Sequence, residues 1–215
     1  FFFKQKTAYE IPKRDWSSDV FSSDLSAHKF NGPKGAGALY IRRGTRMQPI
    51  LTGGKHERNR RAGTENTAAI VGMGVAARQA MTKLNAEGVR LAALRDRLEA
   101  EVLRAVPGTA INGAGSPRLP NTTNISFDRV EAESLLIALD LEGIAVSTGS
   151  ACSSGSLEPS HVLRAMGLPH PRTRNSLRFS LGAATTSVEI DTVLAALPAL
   201  VARLRHLTQR AVALR

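Results

Sequence analysis

The chain of 215 residues is poor in cysteine, in aromatic residues and in long apolar runs. Its single cysteine, Cys152, cannot form an intramolecular disulfide, which excludes a small disulfide-stapled fold. The apolar stretch 193–204 contains Pro198 and Arg203 and is too short to span a bilayer. Apolar residues nevertheless make up 42% of the chain and charged residues 22%, as in globular proteins, so a wholly disordered chain is excluded as well.

Acidic side chains are also scarce. The 18 Asp and Glu residues face 29 Lys and Arg residues, which gives a net charge of +11. A charge of this sign permits binding of nucleic acid or of acidic ligands but establishes neither. No helix-turn-helix, zinc-finger or aromatic–basic motif accompanies it. A non-enzymatic nucleic-acid-binding protein is therefore an alternative that rests on charge alone.

The first 25 residues differ in composition from the rest of the chain. They hold the only Trp and four of the seven Phe, and they show neither helical nor strand periodicity. The opening Phe residues run directly into Lys4, without the apolar region of a secretory signal. The segment resembles translated sequencing-adapter DNA, and we expect residues 1–25 to be a non-native leader. Its charges cancel, so the net charge of +11 belongs to residues 26–215.

Strand and helix patterns alternate along residues 26–215. Predicted strands cover 37–41, 122–127, 144–147 and 176–181. Predicted helices cover 64–84, 89–106, 131–141 and about 158–166. A terminal helix is expected to begin at the capping box of Thr186 and Glu189, and Pro198 is expected to kink or divide it. This alternation predicts an α/β or α+β architecture.

Ser26-Ala-His-Lys29 precedes a glycine-rich turn that ends at Gly35. A lysine in such a loop can form a Schiff base with an aldehyde cofactor when its amine is partly neutral. Ser26 and His28 would then donate to a phosphate group. On spacing alone, the favoured interpretation is that Lys29 is an ordinary surface lysine.

The segment 53–64 is strongly basic. Its four cationic side chains are Lys55, Arg58, Arg60 and Arg61. Two glycines precede them, and Thr64 stands at the start of a predicted helix, so backbone N–H groups and the helix dipole would reinforce an anion site. A solvated basic loop, or a nucleic-acid contact without aromatic platforms, fits the same residues.

Cys152 lies in a run of small residues from Ser147 to Ser156. A flexible loop of this kind could carry a thiol from one place to another, which a rigid nucleophile would not need. Nearby basic groups would favour the nucleophilic thiolate. An incidental loop cysteine is the alternative.

Taken in order, these motifs resemble those of the cysteine desulfurases, and more narrowly the long-loop group of nitrogen-fixation and iron–sulfur-assembly enzymes. The matching residues are Ser-Ala-His-Lys29 with Gly-Pro-Lys-Gly35, Gly-Gly-Lys-His-Glu-Arg58 with Arg-Ala-Gly-Thr64, Ser-Thr-Gly-Ser-Ala-Cys152, and Ser-Leu-Arg178-Phe-Ser. The resemblance implies an α/β fold, the C-terminal part of a fold-type I pyridoxal-phosphate enzyme. It implies that 26–85 is the end of the large cofactor-binding domain and that 86–215 is a small α+β C-terminal domain.

The resemblance also implies which residues bind the cofactor, pyridoxal 5'-phosphate. Lys29 matches the lysine that holds it, and Ser26 and His28 match contacts to its phosphate. Thr64 matches a threonine that reaches the phosphate of the partner subunit's cofactor. The implied enzyme is therefore a homodimer with shared active sites. The resemblance also implies a cytoplasmic location.

Two further residues match the substrate chemistry of the family. Arg178 matches the arginine that binds the carboxylate of L-cysteine. Cys152 matches the nucleophile that takes the substrate sulfur as a persulfide, with release of L-alanine. The sulfur would pass to an acceptor such as an iron–sulfur scaffold protein, and Cys152 would be a transient iron–sulfur ligand.

The family's enzymes are longer than this chain, which begins just ahead of the cofactor lysine. We expect a missing N-terminal half to supply further cofactor contacts, so the isolated polypeptide should bind pyridoxal phosphate poorly and turn over little cysteine. A selenocysteine lyase or an aminotransferase of the same class would share the lysine region without needing the cysteine loop. An inert fragment is the remaining alternative.

Overall fold

A computed structural model describes residues 22–148 and 160–213. The chain divides between Asn85 and Ala86 into two compact units. Among the described residues, no helix is both long and apolar enough to cross a lipid bilayer.

The first unit contains an antiparallel pair of strands, β1 (Ser22–Ser26) and β2 (Gly37–Ile41). A 3-10 helix, Ala27–Phe30, follows β1 directly. Gly37 allows the strands to approach closely, because a Cβ there would lie 2.8 Å from the carbonyl oxygen of Leu25. Strand β1 was not predicted, since most of it lies in the segment that the sequence sets apart. Ladder pairing uses backbone groups, which that segment supplies like any other.

Two helical segments lie between β2 and the second sheet. The short turn α1 (His56–Asn59) lies in the basic segment and has left-handed backbone angles at Glu57 and Arg58, and the long helix α2 spans Thr67–Ala105. Two separate helices over 64–84 and 89–106 were predicted, and that prediction is wrong. Residues 85–88 between the two predicted helices include Gly88, but one glycine costs a helix only about 1 kcal/mol relative to alanine, so the helix continues through it.

The second unit is built on a three-stranded antiparallel sheet in the order β3-β4-β5. The strands are β3 (Thr109–Ile111), β4 (Thr122–Phe127) and β5 (Ser176–Ser180). Its further helices are α3 (Ala132–Leu141), α4 (His161–Ala165), α5 (His170–Arg174) and α6 (Ser187–Ala213). Strand β3 and helix α5 were not predicted, and 144–147 forms only an isolated bridge from Ser147 to Arg178.

The hydrophobic core of the second unit lies on one face of this sheet. Alternate residues of the two longer strands enter it, for example Ile125, Phe127 and Leu177, none of which is exposed. Helices α2, α3 and α6 contribute the remaining large side chains, among them Leu98, Val102, Leu135, Leu139, Leu197 and Val201. Most residues on the opposite face of the sheet are polar, and Arg178 of the candidate site is among them.

Helix α6 begins with the predicted capping box. The Thr186 N–H donates to Glu189 Oε2 at 2.7 Å, and the Glu189 N–H donates to Thr186 Oγ1 at 3.3 Å. These reciprocal bonds satisfy backbone donors of the first turn, as the sequence predicts. Pro198 does not divide the helix, which continues through it to Ala213.

Candidate active site

Lys29 lies in the 3-10 helix that leads from β1 toward β2. The Ala27 N–H donates to Ala36 O at 3.0 Å, which closes this connection at its base. Ala27 is completely buried and anchors the helix, whereas Ser26, His28 and Lys29 are exposed. The structure therefore brings these three predicted residues together on one short accessible segment.

The turn after Lys29 depends on two residues with special backbone geometry. Asn31 has a φ of 65°, in the left-handed region, and ends the 3-10 helix. The Gly32 N–H donates to Ala27 O at 2.8 Å, and a Cβ at Gly32 would lie only 3.0 Å from that oxygen. A larger residue at position 32 would push the turn away from Ala27 and would displace Lys29 with it.

The basic segment forms a tight loop in which Lys55, Arg58, Arg60 and Arg61 are all exposed. Glu57, Arg58 and Asn59 have φ values of 49°, 57° and 63°, so three consecutive non-glycine residues adopt left-handed conformations. Such conformations are strained and are concentrated at functional sites. The Gly63 N–H donates to His56 Nδ1 at 3.3 Å and ties the two ends of the loop together.

Thr64 is exposed and follows this loop, but it does not begin the helix. Helix α2 begins at Thr67, and Asn66 caps it, because Asn66 Oδ1 accepts a hydrogen bond from the Ala69 N–H at 3.2 Å. The predicted helix start at Thr64 is therefore wrong. Asparagine is a preferred N-cap residue, so Asn66 carried the signal that would have given the correct start.

Arg178 occupies the middle of β5 in the second unit. Its backbone is paired on both sides, with Asn124 of β4 opposite it and Ser147 across the isolated bridge. The Arg178 N–H donates to Ser147 O at 2.6 Å, and the Ser147 N–H donates to Arg178 O at 3.1 Å. Two paired neighbours fix the backbone from which this half-buried side chain extends.

Cys152 lies outside the described residues, so its predicted roles as nucleophile and as transient iron–sulfur ligand stay predictions. Within 22–148 and 160–213, no group of three or more His, Cys, Asp or Glu side chains could hold a metal ion.

Sequence reasoning missed the polar network on the face of the sheet that carries Arg178. Asn112, Asn124, Arg172 and Ser176 form a hydrogen-bonded network on the polar face of the sheet. The alternation in 122–127 indicated that Asn124 and Ser126 share a face, but it did not indicate what covers that face. Helix α5, which was not predicted, supplies Arg172.

A sequence model described as Aminotransferase class-V matches residues 11–193, which is most of the chain. The chain belongs to the class-V aminotransferase family. The match begins inside the segment 1–25, whose origin stays a prediction. The predicted fold class is confirmed at this level, as a mixed helix and sheet fold of the fold-type I pyridoxal-phosphate enzymes.

Curated relatives of this class-V chain share about half of its residues. The cysteine desulfurase NifS of Azotobacter vinelandii is 50% identical over 192 residues, which are 89% of this chain and 48% of the relative. A cysteine desulfurase of Klebsiella pneumoniae is 51% identical over 200 residues, 93% of this chain and 50% of the relative. The chain thus spans about half the length of the curated relatives that it matches.

Solved structures of the class-V fold match as well. A NifS-like protein superposes with a TM-score of 0.75 at 33% identity, covering 86% of this chain and 47% of that protein. A NifS-like protein from Rickettsia africae also gives a TM-score of 0.75, at 31% identity, covering 84% of this chain and 47% of that protein.

Proposed function

We propose that this chain is part of a pyridoxal-phosphate-dependent cysteine desulfurase. The observation that carries the proposal is identity of about one half, over nine-tenths of the chain, with proteins named cysteine desulfurase. The reaction would convert L-cysteine to L-alanine and leave the sulfur on the enzyme as a persulfide. The sulfur would then pass to an acceptor, such as an iron–sulfur scaffold protein, in the cytoplasm.

The exposed residues of the Lys29 segment fit pyridoxal phosphate by their chemistry. A primary amine suits the aldehyde of the cofactor, and the hydroxyl of Ser26 and the imidazole of His28 can donate to its phosphate. The exposed cations of the basic loop make the same unit attractive to anions. These residues support the proposal that Lys29 holds the cofactor, with Ser26 and His28 at the phosphate.

When bound, pyridoxal phosphate supplies an electron sink for the bonds that break at the substrate. Lys29 would accept and return protons at the substrate α-carbon once its amine is released. Arg178 would hold the substrate carboxylate, because a guanidinium can donate two parallel hydrogen bonds to it. The cofactor phosphate would also be contacted by Thr64 of the partner subunit, which makes the proposed enzyme a homodimer.

Cys152 would carry out the sulfur transfer. Its thiolate attacks the sulfur of the bound cysteine, so a sulfur–sulfur bond forms as the carbon–sulfur bond breaks. The electron pair of the broken bond goes to the substrate carbon, which takes up a proton and leaves as part of L-alanine. Cys152 keeps the substrate sulfur as a persulfide and gives it to the acceptor.

The experiment uses the full-length gene product and measures L-alanine and acid-labile sulfide released from L-cysteine. Cys152→Ala should abolish both products, while the protein keeps the absorbance of its bound cofactor. Lys29→Ala should abolish both products and that absorbance as well. Lys83→Ala, at an exposed lysine of helix α2, is the matched control and should leave both products and the absorbance unchanged.

One outcome would favour the second candidate, another class-V enzyme such as an aminotransferase or a selenocysteine lyase. The family description itself supports this candidate. The reaction of such an enzyme does not require the Cys152 thiol. If Cys152→Ala keeps full activity toward an aminotransferase or selenocysteine lyase substrate, the desulfurase proposal is contradicted.

A further inference from the structure

Three polar residues lie side by side across the second sheet, and we call them the polar row: Asn112, Asn124 and Arg178. Asn124 in β4 pairs directly with Arg178 in β5. The Asn112 N–H donates to Asn124 O at 2.8 Å, so Asn112 continues the β3 pairing opposite Asn124. Residues directly opposite on antiparallel strands point to the same face, with Cβ atoms about 4.5–5.5 Å apart. The side chain of Asn124 therefore stands between those of Asn112 and Arg178.

Hydrogen bonds hold the amide of Asn124 in one orientation. Asn112 Nδ2 donates to Asn124 Oδ1 at 2.5 Å and to Ser176 Oγ at 2.9 Å. Asn112 is itself oriented, because Arg172 Nε donates to Asn112 Oδ1 at 2.7 Å. The chain from Arg172 through Asn112 thus fixes which edge of the Asn124 amide faces β3.

The centre of this network is shielded from water, whereas Asn124 and Arg172 at its ends are half-buried. Asn112 is 4% exposed and Ser176 is completely buried. The Ser176 hydroxyl donates onward to Arg172 O at 2.6 Å, so the side chains of Asn112 and Ser176 both have partners within the network. A buried network with matched partners is rigid, because each broken bond would leave a polar atom without water to replace it.

We propose that Asn124 is a positioning residue for Arg178. The inference rests on the proposed function, in which Arg178 binds the carboxylate of the substrate. Asn124 is the direct cross-strand partner of Arg178 on one side, and the bridge to Ser147 fixes the Arg178 backbone on the other side. A guanidinium binds a carboxylate through two hydrogen bonds only when its plane is correctly directed. Asn124 sets that direction.

Asn124→Ala tests the inference in the full-length gene product. We expect the KM for L-cysteine to rise about tenfold while kcat stays within about twofold, because substrate binding depends on the direction of Arg178. In an Arg178→Lys background, Asn124→Ala should change KM by less than about twofold, since the guanidinium that Asn124 directs is already absent. A residue that serves only folding would give the same fold-change in both backgrounds.

Two further variants keep the test decisive. Asn121→Ala is the matched control: Asn121 immediately precedes β4, and its Nδ2 donates to Leu181 O at 3.3 Å, but it lies outside the polar row. Its KM should equal that of the unmodified protein. Asn124→Asp keeps the size of the side chain and places a carboxylate beside Arg178, where it competes with the substrate. It should therefore raise KM more than Asn124→Ala does.

The outcomes separate the inference from the function on which it rests. If the full-length gene product without any substitution releases no L-alanine from L-cysteine, both the proposed function and the positioning role of Asn124 are wrong. An active protein in which both Asn124 variants keep the normal KM, or in which Asn124→Ala acts equally in the two Arg178 backgrounds, would overturn the positioning role alone.

Discussion

Glu99, on helix α2, is a carboxylate whose residue is only 9% exposed. Arg118 pairs with both of its oxygens, from Nη1 to Oε1 at 2.6 Å and from Nη2 to Oε2 at 3.0 Å. Burial alone would raise the pKa of Glu99, but hydrogen bonding from Arg118 and Thr123, together with the charges of Arg118 and Arg95, outweighs it and holds the pKa below its ordinary value of 4.5. The pair therefore contributes stability through the ionised form.

Glu99→Gln should lower the free energy of unfolding by about 2 kcal/mol at neutral pH, because it removes the charge that Arg118 contacts. A depressed folded-state pKa gives stability that is present above the unfolded-state pKa and is lost as pH falls through the folded-state value. The difference between the unmodified protein and Glu99→Gln should therefore shrink in acid. Urea unfolding of both proteins, from neutral pH to below the pKa of Glu99, measures this difference in the free energy of unfolding.

Glu101→Gln on the same helix is the matched control. Glu101 pairs with Arg104, whose side chain is 74% exposed, and exposed pairs contribute little. Equal destabilisation by the two substitutions would contradict the role assigned to burial.

At the scale of single residues, the sequence motifs predicted which residues are candidates for the active site, but they did not predict which side chains lie near them. Lys29 and Arg178 were selected by their type and their neighbours in sequence. Asn112 is 66 positions from Arg178 along the chain, and only the strand pairing brings them into one row. Pairing register depends on contacts between distant segments, which a single sequence does not display.

Among secondary-structure elements, the most accurately predicted have strong local signals. Strand β4 was predicted with its observed bounds from its alternation, and the cap of α6 from Thr186 and Glu189. Strand β3 has three residues, too few for a periodic pattern, and it exists because β4 pairs with it. Helix α2 covers both of the helices that were predicted separately, because the low helix propensity of Gly88 is too small a cost to end the helix there.

Two glycines of α2 should respond differently to substitution by alanine. A Cβ at Gly88 would meet no atom of the described residues within 4 Å, so Gly88→Ala should raise the free energy of unfolding by about 0.5–1 kcal/mol through helix propensity and chain entropy. A Cβ at Gly72 would lie 2.9 Å from Pro33 Cγ, so the same change there should lose that gain to the clash. Thermal unfolding of the two variants measures the difference, and equal stabilisation of both would contradict this account of Gly72.

At the scale of the whole molecule, the two units bury very different amounts of apolar side chain. The described residues up to Asn85 include only three buried hydrophobic residues, Ala27, Ala69 and Ala76, all of them small. The described residues from Ala86 onward include the large core around Phe127 and Leu177. Since burial of apolar area is the main stabilising contribution, the second unit should hold most of the stability of this chain.

Hydrogen exchange can locate that stability. In this chain, backbone amides of β4 and β5 should exchange only through the opening of a packed core, whereas those of β1 and β2 should exchange through a smaller opening. We expect the Ile125 and Leu177 amides to be protected at least about a hundredfold more than those of Ala38 and Tyr40, which face β1 in the ladder. Phe127→Ala should remove much of this excess, because truncating a buried Phe costs about 3–5 kcal/mol. Equal protection of the two strand pairs would show instead that the chain up to Asn85 is stabilised by something other than its own buried side chains.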